Sequence, residues 1–168
     1  MKERKTVYRW LWVWDFEKEE RWLNQMAQEG WALAEVGFCR YVFEACEPGQ
    51  YTIRLEMHQQ DDAYLNFLRE MGAEYIGRVV MWIYVRRDAA LGPFDLFSDL
   101  DSKIAHVGRI SSVLTALGVL NLGIGVHNSL NGLHFGWINL LCATLLMYGL
   151  GRLHGMKERL ELERQLHE

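Results

Sequence analysis

Hydrophobic and polar positions alternate with one period in some stretches and another period elsewhere, and the changes divide the chain. Residues 7–15, VYRWLWVWD, alternate and are rich in aromatic and β-branched side chains, which predicts a strand. Asp15 is placed to cap a helix whose apolar stripe is Trp22, Leu23, Met26 and Ala27. Gly30 ends that helix as a left-handed residue can. Residues 31–36 and 38–45 read as a strand pair turning near Gly37, followed by the turn Glu47-Pro48-Gly49-Gln50. Residues 51–58 form the next strand. Asp61 or Asp62 caps a second helix with Tyr64, Leu65, Leu68 and Met71 inward, and Gly72 ends it. Residues 74–79 and 81–87 close as another strand pair.

The order strand, helix, strand, strand thus occurs twice. Sliding the chain by 42 positions lays Trp22-Leu23-Asn24 on Tyr64-Leu65-Asn66, Gly30 on Gly72 and residues 38–43 on 80–85, the pattern expected of a duplication. Two such units are expected to join into one antiparallel sheet with both helices on one face, an α+β head over residues 1–90. Alternation then assigns Tyr51, Ile53, Leu55 and Met57, with Leu11 and Val13, to the helix-covered face. Trp10, Trp12, Trp14, Arg40, Arg54, Glu56, Trp82 and Tyr84 fall on the open face. Aromatic rings, arginines and one carboxylate on an open face suit ligand or partner binding. A register shift of one residue turns the Trp stripe into the core instead, and the alternation is compatible with either.

Beyond Pro93 the period becomes helical. Phe94, Phe97, Leu100, Ile104 and Val107 recur every three or four residues, so residues 91–109 are expected to hold a linker and an amphipathic helix from Asp95 to Arg109. That helix either lies on a bilayer surface or packs on the head and continues into a membrane span. Residues 110–151 contain no Asp, Glu, Lys or Arg, although charged residues make up 24% of the chain. With about 20 apolar residues needed per span, the run holds two membrane helices joined by a polar turn near residues 128–132. Lys103 and Arg109 precede the first span, Arg152, Lys157 and Arg159 follow the second, and the turn has none. Both termini are therefore expected in the cytoplasm, at the cell membrane. Ser112, Ala116, Gly118, Gly123 and Gly125 would allow close helix contact, with Gly132 and Gly136 a further small pair. Residues 152–168 form a charged helical tail, in which Leu153, Met156 and Leu160 make a short partner seam or a solvated end.

Charge and chemistry narrow the function. Residues 1–90 carry 12 basic against 15 acidic side chains, which argues against direct nucleic-acid binding. Lys2, Arg4 and Lys5 resemble the start of a signal peptide, but the apolar run behind them ends at Asp15 without a small-residue cleavage site. Cys39, Cys46 and Cys142 are too few for a disulfide framework or zinc site. No phosphate loop, nucleophile elbow or HExxH motif is present, so no catalytic residue, metal or cofactor is expected. His127 and His134 flank the turn as interfacial polar residues rather than a two-ligand metal site. Glu19-Glu20 and Asp61-Asp62 sit at helix starts, where the helix dipole accounts for them.

The stretches WVWDFEKEERWLNQMAQEGW, GFCRYVFE with its EPGQY turn, and GPFDLFSDLDSKIAH resemble the bacterial family known as domain of unknown function 2812, over residues 10–110. The resemblance implies a cytoplasmic head followed by membrane helices. It also implies a genetic neighbour resembling PadR transcription factors, and it brings no functional residue. The doubled unit also resembles, in fold only, effector-binding modules of the GyrI type. That likeness implies a groove for small cationic or apolar molecules, with Glu56 and the Trp stripe as counterparts. The expectation is a membrane-anchored, non-enzymatic sensory module that binds a small amphipathic ligand or a PadR-like regulator on its aromatic face. The alternative is a structural subunit that forms a homo-oligomer or docks on another membrane protein through its hairpin and tail.

Overall fold

Alternating sequence becomes strand only as far as a partner strand runs beside it. In the computed structural model, which describes residues 3–59, 61–97 and 99–167, β1 is Arg4–Tyr8, not residues 7–15. Its last pair is Tyr8 with Arg40, the first residue of β3 (Arg40–Ala45); one further bond runs from the Arg9 N–H to the carbonyl of Cys39 at 3.0 Å, and there the left-handed turn at Cys39 ends the ladder. The tryptophan-rich remainder crosses an irregular segment and a 3-10 turn, Val13–Asp15, before α1 (Phe16–Gln28). Asp15 makes no capping bond there. It pairs instead with Lys18 at 2.8 Å.

The chain divides into two units, Met1–Leu96 and Phe97–Glu168. In the first, β1 and β2 (Trp31–Gly37) flank β3 in one antiparallel sheet. β4 (Tyr51–Met57) and β5 (Ala73–Val79) flank β6 (Trp82–Asp88) in another. The expected single sheet is thus two three-stranded sheets of identical order. β2 and β5 lie side by side, each an outer strand of its own sheet. The repeat extends to irregularities: β2 bulges between Leu33 and Glu35, and β5 bulges 42 residues later, between Tyr75 and Gly77. Gly30 and Gly72 both have positive φ (86° and 77°), the left-handed geometry that glycine adopts without strain.

Each helix covers its own sheet. In α1, Leu23, Met26 and Ala27 are buried, and Trp22 meets Tyr41 and Phe43 edge-on at 4.9 and 5.7 Å. In α2 (Asp62–Glu70), Leu65 and Leu68 pack with Ile83, Val85 and Phe94. Asp61 caps α2 by accepting from the Tyr64 amide at 2.6 Å. α1 also seals an edge of the second sheet. The Asn24 amide donates to the Ile53 carbonyl and accepts from the Ile53 N–H (2.8 and 2.9 Å), and Glu20 accepts from the Leu55 N–H. These bonds occupy backbone groups that an outer strand would otherwise leave open.

In the second unit the helical period is continuous. α3 (Leu100–Leu130) starts later than Asp95, where Asp99 accepts from the Ser102 amide at 2.7 Å, and it runs unbroken into the charge-free stretch. It is long and apolar enough to cross a membrane. α4 (Gly136–His167) returns antiparallel beside it and carries the charged tail without a break. Of the small residues expected at the contact, Gly118 and Gly125 lie against Leu146 and Leu140, whereas nothing approaches Gly123 and Ser112 and Ala116 are exposed. Gly136, not Gly132, makes the close approach at the turn, against Ser129 and the Gly125 carbonyl. Leu153 and Leu160 are buried, so they present no outward seam, whereas Met156 is half-buried. Asp101 and Arg164 tie the far ends at 2.7 Å.

Candidate functional site

A strand register decides which side chains share a face, because directly opposed residues in an antiparallel pair project to the same side. β4 and β6 pair Leu55 with Tyr84, Met57 with Trp82, Glu56 with Ile83 and Arg54 with Val85. Trp82 and Tyr84 therefore lie on the face of Leu55, opposite Arg54 and Glu56, and the single open face expected from alternation does not exist. Ile83 and Val85 face α2, so Glu56 does too. It is buried and accepts from Tyr64 Oη at 2.6 Å. Arg54 pairs with Glu20 Oε1 at 3.3 Å, and exposed Arg40 lies 3.8 Å from Glu35.

The three tryptophans ahead of α1 grade from solvent to core. Phe38 meets Trp10 at 5.8 Å, Trp10 meets Trp12 at 5.3 Å, and Trp12 stacks flat on Trp14 at 4.9 Å. Trp10 is 58% exposed and Trp14 only 4%. Arg9 lies over the Trp22 ring at 4.6 Å.

What the structure brings together at the junction of the two repeats is a different set. Glu19 of α1 is 8% exposed. Its Oε1 accepts from Tyr41 Oη of β3 at 2.7 Å and from Tyr84 Oη of β6 at 2.6 Å. Each tyrosine is 4% exposed. One turn before Glu19, Phe16 packs on Trp82 at 5.5 Å; one turn after, Trp22 packs on Tyr41. Burial, followed by the charge of Glu19, pushes both phenols far above the ordinary tyrosine range, so they remain donors. Among the described residues Glu19 pairs with no Lys, Arg or His. Burial raises the pKa of the adjacent Glu20, although Arg54 and the Leu55 amide oppose the shift.

Of the residues singled out by alternation, Tyr84 contacts this carboxylate, and Trp82 stands beside it through Phe16. Trp10, Trp12, Arg40, Arg54 and Glu56 do not reach it. Glu19 lies in the first turn of α1, as expected of a carboxylate favoured by the helix dipole, and its hydrogen-bond partners there are two tyrosines contributed by different sheets. Its signal was its place on the buried stripe of α1, one turn before Trp22 and Leu23. The described residues hold no group of three or more His, Cys, Asp or Glu able to bind a metal.

A family profile described as "Protein of unknown function (DUF2812)" matches residues 15–119, which include α1, both sheets from β2 onward and the first part of α3. No curated protein and no solved structure matches the chain.

Proposed function

Since this chain belongs to the DUF2812 family, which carries no assigned activity, we propose from its own geometry that it is a membrane-anchored binding module for a small organic cation with an apolar body. One observation carries this reading: a buried carboxylate held by two phenols, flanked by aromatic rings and lacking a cationic partner among the described residues. A charge taken out of water needs a partner, and aromatic faces attract cations that have left water. Glu19 would supply the charge, Tyr41 and Tyr84 would orient it, and Phe16, Trp22 and Trp82 would receive the apolar body.

The site is closed, so entry must part the two repeats. A ligand that binds the parted form better would shift the head between two states. A regulator resembling PadR factors, expected from the sequence resemblance, is the proposed recipient of that change. The anchor is the α3/α4 pair as a two-span hairpin with both termini cytoplasmic. Its outward side chains from Leu117 to Tyr148 are largely apolar and exposed, as lipid contact requires. From residue 110, α3 rises about 30 Å, one hydrocarbon thickness.

Titration of tryptophan fluorescence in the full chain with tetraphenylphosphonium tests the site. Saturable quenching is expected, weakened about tenfold or more in Glu19→Gln, which keeps an acceptor for both phenols but removes the charge. The anionic analogue tetraphenylborate should produce none. Equal response of wild type and Glu19→Gln to the cation would end the proposal.

The same exposed apolar surface favours a second reading, in which further copies or another membrane protein cover it and the chain is an assembly subunit. Cross-linking in native membranes separates the two: a monomer with no cross-linked neighbour counts against assembly.

A further inference from the structure

Glycine serves two opposite purposes along the α3/α4 pair. A side chain at Gly125 would strike Leu140, and one at Gly136 would strike Ser129. At Gly108 on α3 and Gly151 on α4, an added Cβ would meet nothing within 4 Å. Both lie inside helices, where glycine is disfavoured relative to alanine. Close packing explains the first two. Of the helical glycines with open space at Cβ, Gly108 and Gly151 line a groove of about 640 Å³ between the helices, and Gly123 and Gly155 do not.

The groove has a polar end and an apolar end. Ser111, Ser112, His154 and Lys157 line it, together with Met147 and Leu150, and no acidic side chain does. The serine hydroxyls donate to the carbonyls of Val107 and Gly108 (2.9 and 3.0 Å), so the cationic and N–H donors of the groove are those of Lys157 and His154. His154 and Lys157 pair with Glu158 and Glu161 at 3.3 and 3.5 Å. Such exposed pairs one helical turn apart are weak and yield to a competing anion. Arg109 and Arg152, which bound the charge-free run, flank this level of the hairpin.

We propose that this groove binds the headgroup of an anionic phospholipid, with Lys157 neutralising the phosphate, a ring N–H of His154 donating to it, and Met147 and Leu150 lying against the first acyl carbons. Basic recesses between helices at the cytoplasmic boundary suit such headgroups. The site presupposes the membrane hairpin proposed above.

Native mass spectrometry of the full chain from detergent, supplied with phosphatidylglycerol or with phosphatidylcholine of the same acyl chains, tests it. Wild type should retain phosphatidylglycerol preferentially. Lys157→Gln should weaken that retention about fivefold and leave phosphatidylcholine unchanged. Gly151→Leu, which fills open space, should abolish the preference while keeping the unfolding midpoint in detergent. Equal retention of the two lipids, an undiminished preference in Gly151→Leu, or displacement by inorganic phosphate at the same concentration would overturn the proposal. Flotation with vesicles of phosphatidylcholine alone reads the anchor separately. A chain that floats but shows no headgroup preference loses the groove and keeps the hairpin, whereas a chain that does not float loses both.

Discussion

Arg86 and Glu44 occupy the same place in the two repeats, 42 residues apart, and are bonded to each other: Arg86 Nη1 donates to Glu44 Oε1 at 2.9 Å. The second repeat thereby grips the first at a point the duplication itself created. Arg86 also donates to the Leu33 carbonyl at 2.9 Å and from Nε to Glu74 at 2.7 Å, with the Tyr51 ring 4.7 Å away. Both the edge and the flat face of this buried guanidinium are used.

Removing one partner of such a cluster leaves others buried without compensation. Arg86→Met should cost about 3–5 kcal/mol. Glu44→Gln, which still accepts from Arg86 and leaves Glu74 in place, should cost only about 1 kcal/mol. Urea unfolding of the two variants measures this; equal losses would show that the charge of Glu44, not its geometry, holds the junction.

The Glu19 cluster predicts an alkaline weakness. Both phenols have folded pKa values raised above the unfolded value of about 10. The unfolded chain releases these protons above that pH while the folded chain keeps them. The stability they contribute is complete below about pH 10 and is lost as pH rises beyond it, by about 1.4 kcal/mol per pH unit for each tyrosine. Tyr84→Phe should remove one such share of the slope. Parallel stability curves for wild type and variant from pH 9 to 12 would contradict it.

Asn24 is expected to protect a sheet edge as well as stabilise it. Asn24→Ala removes both bonds to Ile53 and should cost about 2 kcal/mol. It also opens part of β4 to pairing with other chains. Denaturant unfolding gives the first effect, and light scattering during refolding gives the second.

The helical pair should discriminate among its glycines. Gly136→Ala places a methyl group against Ser129 and the Gly125 carbonyl, so the helices must separate. Gly123→Ala meets open space and should be neutral or slightly stabilising. Thermal unfolding in detergent, followed by circular dichroism, should show a lowered midpoint for the first only.

Local pattern alone determined much of this protein. The 42-residue repeat, an aspartate cap on α2 at Asp61 or Asp62, the left-handed Gly30 and Gly72, and the charge-free run of residues 110–151 all arise from side-chain period, backbone freedom and transfer cost. Those are properties of neighbours in sequence. Tertiary structure decided where strands end and which face each side chain takes. β1 stops at Tyr8 because β3 begins at Arg40, and the one-residue offset between β4 and β6 puts Tyr84 with Leu55 rather than with Glu56. Period-two alternation specifies two faces without saying which is covered. The Glu19 site depends on a helix of one repeat meeting strands of both, and only the packing of distant segments could bring that carboxylate to Tyr41 and Tyr84.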